Sequence, residues 1–113
     1  MEAGLELLTK LEELVLIAVL RLGKEAYGIS IYNFMVGLTG NRVAISSVYF
    51  PLERLVRKGC LRAFRGDPTP RRGGMGKRYY RLTRGGYAAL QENRALTETA
   101  WRGIKLADKS SEA

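Results

Sequence analysis

Apolar residues recur at spacings of three and four along the first part of the chain. Leu5, Leu8, Leu11, Leu14 or Val15, Ala18 and Leu22 fall on one face of a helix. Thr9 followed by Glu12 fits a capping box, so the main helix is expected to start at Thr9. Leu5, Leu7 and Leu8 lie ahead of that cap and need another surface to cover them. Residues 14–20 are apolar without a break, which predicts a helix buried on all sides, in a core or against a partner. Gly23 ends it. A second helical pattern runs from Ala26 to Leu38, with Ile29, Tyr32, Phe34 or Met35 and Leu38 on one face, and a polar turn follows. The third spans 45–58, where Val48, Leu52, Leu55 and Val56 form the apolar stripe. Pro51 lies within its first two turns, where a missing backbone donor costs least, and Gly59 is placed to cap its end.

The period then changes from helical to alternating. Residues 60–65 alternate apolar and basic side chains, and residues 77–82 form a second strand pattern. Between them, residues 66–76 are rich in glycine and proline and predict a turn. Thr83 caps a long last helix expected over 84–108, with Gly85 and Gly86 in its first turn. Three helices, a hairpin and a helix describe a mainly α fold with a small β-hairpin: a winged helix-turn-helix plus a long C-terminal dimerisation helix. The expected division is a winged helix-turn-helix over 1–83 and the dimerisation helix and tail over 84–113. Cys60, at the edge of the first strand, reads as a small buried apolar residue.

Charge singles out one part of this chain. Between Arg54 and Arg84 there are eleven basic residues and one acidic residue, Asp67, so this segment carries +10 while the whole chain carries +8. Such a segment points to a polyanion, nucleic acid before an anionic membrane surface. The one cysteine cannot form a disulfide within the chain, and the absence of histidine excludes a Cys/His zinc site and histidine-based catalytic dyads. Gly76-Lys77 resembles part of a phosphate-binding loop. The other positions of that motif hold Arg71 and Arg78, and the loop leads into a strand rather than a helix. No enzyme activity, metal or cofactor is expected. The N-terminus lacks the pattern of a signal peptide and the longest apolar run is too short to span a bilayer, so a cytoplasmic protein is expected.

A winged helix-turn-helix binds duplex DNA by placing its recognition helix in the major groove. Ser46, Ser47 and Tyr49, at the start of the third helix, are placed to reach base edges. Ser46 or Ser47 could instead cap that helix, and Tyr49 could pack on the second. Phe50 reads as packing. Arg54 and Arg57 are expected phosphate contacts, as are Arg71, Arg72, Lys77 and Arg78 on the wing. Tyr79 and Tyr80 face opposite sides of their strand, one in the core and one exposed. A rival reading is a winged helix that binds RNA or a protein, with the exposed tyrosine stacking on an unpaired base.

Leu90, Thr97, Trp101 and Ile104 follow a helical spacing along the last helix. That helix outruns so small a domain. Packing it, with Leu5 and Leu8, against a second copy covers both regions, and a two-fold dimer suits a palindromic operator. Trp101 could also stack on a small planar aromatic effector at the dimer axis.

The apolar first helix, Tyr27-Gly28-Ile29-Ser30-Ile31, the run from Ser47 through Val48-Tyr49 and Leu52-Glu53-Arg54-Leu55 to Lys58-Gly59, and Gly76-Lys77-Arg78-Tyr79-Tyr80-Arg81-Leu82-Thr83 form a specific combination. Over residues 9–104 the sequence resembles the PadR family of bacterial transcriptional regulators. The resemblance implies a homodimeric repressor of the family's short subgroup, in which a single C-terminal helix builds the dimer with the N-terminal helix. It matches Tyr49 to the recognition-helix tyrosine and Lys77 and Arg78 to wing residues. Family members often control their own operon and genes for stress responses, phenolic-acid metabolism or transporters, and some bind planar drugs between C-terminal helices. The chain departs from the family pattern at Ala44, where a serine is usual, and at Ser46, where a glycine is usual.

Overall fold

A computed structural model describes residues 7–66 and 76–107. Its elements are α1 (Lys10–Leu22), a 3-10 turn (Gly23–Glu25), α2 (Gly28–Thr39), α3 (Ser46–Arg57), β1 (Leu61–Arg65), β2 (Arg78–Leu82) and α4 (Arg84–Trp101). Together they form a winged helix-turn-helix with one further helix.

The capping box at the start of α1 is complete. The Thr9 hydroxyl accepts from the Glu12 amide at 3.1 Å, and Glu12 Oε1 accepts from the Thr9 amide at 2.9 Å. One face of α1 supplies Val15, Leu16 and Val19 to the core. Ile31 and Met35 of α2, Val48, Leu52 and Leu55 of α3, and Leu61 and Tyr80 of the hairpin complete it. Within the single chain, burial of α1 is one-sided, so of the two expected covers its own core is not enough: Ile17 is only partly covered and Leu20 is 42% exposed. Within one chain, three helices and a hairpin have too little surface to surround it.

The end of α3 shows why Gly59 is needed. Its N–H donates to the Val56 carbonyl at 3.0 Å and that of Cys60 to Leu55 at 2.9 Å, the paired bonds of a Schellman motif, with Gly59 at φ +81°. The chain turns directly into β1. The hairpin is antiparallel, with Leu61 opposite Leu82, Ala63 opposite Tyr80 and Arg65 opposite Arg78. A bridge between Tyr27 and Tyr79, and a 2.9 Å bond from the Tyr80 amide to the Ala26 carbonyl, attach the start of α2 to the open edge of β2. Cys60 is buried, and of the tyrosine pair Tyr80 is in the core while Tyr79 is partly covered.

Thr83 caps α4 by accepting from the Gly86 amide at 3.0 Å. The helix stops at Trp101, short of the expected 108. Arg102 leaves helical geometry, and Gly103 at φ +80° turns the chain away, so Ile104 lies beyond the helix. Phe50, expected to pack, is 67% exposed, because α3 already fills its core face with Val48, Leu52 and Leu55.

Candidate nucleic-acid interface

α3 lies beside the root of the wing. Its start carries no side-chain cap: the N-cap position falls on Ile45, so neither Ser46 nor Ser47 serves as one. Ser46 is exposed and Ser47 half-buried at the tip of the helix. One turn further, the Tyr49 ring lies on Gly28 at the start of α2, touching the space a β-carbon there would fill.

Between α3, the start of α2 and β2 runs an open groove of about 460 Å³, lined by Tyr27, Gly28, Ile29, Tyr49, Glu53, Lys77, Arg78 and Tyr80. The structure thus brings three of the expected contacts, Tyr49, Lys77 and Arg78, to one place. Lys77 Nζ stands 3.7 Å over the centre of the Tyr27 ring. Tyr27 meets Tyr79 edge-on at 5.5 Å, and Tyr79 stacks on Phe64 at 5.9 Å. On the far side of the hairpin Arg62 lies directly opposite Arg81, a pairing that like charge disfavours, and both guanidinium groups rest on Phe64, at 5.1 and 5.6 Å. Aromatic rings hold these cations in place without neutralising them.

Two carboxylates adjoin this cationic face. Glu53 Oε1 accepts from Arg78 at 3.1 Å, and Glu53 Oε2 accepts from the Tyr80 hydroxyl at 3.1 Å. Burial pushes the Tyr80 phenol up to about 12, the Glu53 hydrogen bond and charge push the same way, and Arg78 opposes them in part. The second is Glu12, fully buried, which meets Arg54 Nε at 3.1 Å and Lys58 Nζ at 3.0 Å. Arg54, expected to face a phosphate, is therefore directed along α3 toward α1. Arg57 is exposed in the last turn of α3. Arg71 and Arg72 lie outside the described residues.

Sequence reading missed Glu53, Glu12 and Tyr27 as parts of this region. The helical spacing from Tyr49 to Glu53 was a usable signal, since it places both on one face. The contact between Glu53 and Arg78, 25 residues apart, had no local trace.

The sequence profile described as the transcriptional regulator PadR-like family matches residues 16–92, more than half of the chain. The chain belongs to this family. As a PadR-like protein it is a DNA-binding transcriptional regulator, and the family is one of regulators rather than enzymes. Among solved structures, a chain of the hsRosR-S4 complex is similar at a TM-score of 0.63 and 22% identity, over 91% of this chain and 81% of that one. At that identity the likeness speaks for the fold, a winged helix with an added C-terminal helix. No curated protein matches significantly. Among the described residues no helix is long and apolar enough to cross a membrane.

Proposed function

We propose that this PadR-like regulator acts as a homodimeric repressor that binds a palindromic operator through α3 and the wing, in the cytoplasm. One observation carries the reading: from Arg94 to Trp101 every residue of α4 is exposed, including Leu96 and Trp101 at close to half their surface. A helix owes most of its stability in water to packing of an apolar face, and among the described residues this stretch has no buried residue. Leu7 and Leu20, also exposed, offer further apolar surface on the α1 side of the molecule. A second copy, related by a two-fold axis, covers these surfaces and sets two recognition helices one duplex turn apart, about 34 Å.

Of the residues assigned to that interface, Thr97, Trp101 and Ile104 are exposed and available. Leu8 and Leu90 are half-buried against their own core and would lie at its margin. Leu5 is outside the described residues. A planar aromatic effector stacked on Trp101 would act by shifting the spacing of the two recognition helices. Trp101 is the sole tryptophan, so its fluorescence reports on both dimerisation and effector binding.

The test is selection of genomic duplex fragments by the purified protein at near-physiological salt. An inverted repeat bound by two chains is the expected outcome. Enrichment of no sequence over bulk duplex would refute sequence-specific regulation and favour RNA or a protein as the partner.

A further inference from the structure

The groove between α3 and β2 is built for a polyanion, yet Glu53 stands in it. The Glu53 side chain is 43% exposed, so its carboxylate lies on the open surface of the groove and is no interior prop. One oxygen is occupied by the buried Tyr80 hydroxyl, and the other holds Arg78. This arrangement has two chemical consequences. Arg78 is neutralised and aimed before any DNA arrives. In addition, a negative charge next to Tyr49 repels a phosphate but accepts from an exocyclic amino group, such as N4 of cytosine in the major groove.

We propose that Glu53 is a specificity-determining residue. It withholds Arg78 from the phosphates of arbitrary duplex, and it reserves the groove beside Tyr49 for a base edge that presents an amino donor. The inference rests on the reading of this face as the one that binds DNA. Tyr80 is the positioning residue that makes the device rigid. With its phenol raised to about 12 it remains a donor throughout the physiological range, so the carboxylate cannot swing away from Arg78 without breaking a half-buried bond.

The experiment compares wild type, Glu53→Gln and the double variant Glu53→Gln/Arg78→Gln. Glutamine keeps an oxygen for the Tyr80 hydroxyl and nearly the same volume, and removes only the charge. Affinity is measured against salt concentration on a random duplex and on the duplex recovered by genomic selection. With Glu53→Gln, the salt slope on random duplex should steepen by about 0.9, the value of one added phosphate contact. Affinity for random duplex should rise several-fold, and the ratio of selected to random binding should fall. The double variant has the wild-type net charge in the groove and should return to the wild-type slope. A Glu53→Gln slope equal to that of wild type, with an unchanged ratio, overturns the proposal while the DNA-binding reading stands. Wild-type protein that binds neither duplex overturns that reading, and the proposal with it.

Discussion

Glu12 sits in the first turn of α1 with no surface in contact with water. An unpaired carboxylate could not stay charged there. It is kept so by the Thr9 amide from its own helix and by Arg54 and Lys58 from α3. Burial alone raises its pKa, but the Thr9 amide, Lys58 and Arg54 together outweigh burial and hold it below the usual 4.5. An unfolded chain takes up the proton first as pH falls. The stabilisation is therefore complete above about pH 4.5 and drains away as pH drops through the lower folded value. Denaturant titrations should show wild type losing stability steeply in that acid range and Glu12→Gln losing less. Near neutral pH, Glu12→Gln should cost about 3 kcal/mol, the low end for a broken buried pair, because Arg54 and Lys58 keep some access to water. Identical pH profiles for the two proteins would refute the assignment. The capping role of Glu12 was legible from its place three residues after Thr9. Its burial was not, because Arg54 and Lys58 lie 42 and 46 residues away and only the packing of α3 on α1 brings them near.

At the scale of elements, two glycines set distances that pattern alone does not reveal. Gly86 lets the first turn of α4 lie against the Cys60 carbonyl, and Gly28 leaves room for the Tyr49 ring. The two differ in what a methyl group would meet. At Gly86 it is backbone, which cannot move without shifting a helix. At Gly28 it is the outer part of an aromatic side chain, which can turn aside. Gly28→Ala should therefore leave the melting temperature close to wild type yet weaken DNA binding about ten-fold, the loss of roughly one good contact of 1.4 kcal/mol. Unaltered affinity in a folded Gly28→Ala protein would remove Tyr49 from the interface. The elements themselves were legible: Thr9, Gly59 and Thr83 mark real boundaries, and strand alternation put one of Tyr79 and Tyr80 inward without saying which, a choice the fold settles as Tyr80. Two features were not. The apolar run in α1 carries no sign of which side the chain would leave bare. The spacing of Trp101 and Ile104 continues a helical pattern past the point where Gly103 ends the helix, since a weak apolar period survives a local change of backbone.

For the whole molecule, shape and surface lead to the same conclusion. The Cα radius of gyration is 17.0 Å, against about 13 Å for a compact domain of roughly this length. Among the described residues, the distal half of α4 is exposed, and apolar side chains at Leu20, Leu96 and Trp101 are left in water. An isolated helical segment of this kind frays in solution, and the proposed second copy would supply a surface that supports it. If that surface is a second copy, stability depends on concentration by mass action. The melting temperature of wild type should rise with protein concentration over the micromolar range. Trp101→Ala removes a large aromatic side chain from each half of the interface and should weaken the dimer by about 2–4 kcal/mol per site, the range of an interface hot spot. Leu96→Glu should do at least as much by placing charge on the seam. Sedimentation equilibrium decides between the alternatives. Variants that sediment as monomers where wild type is dimeric, and that lose cooperative binding to the inverted repeat, place the interface on α4. Variants that remain tight dimers would move the interface elsewhere and leave Trp101 free for an effector.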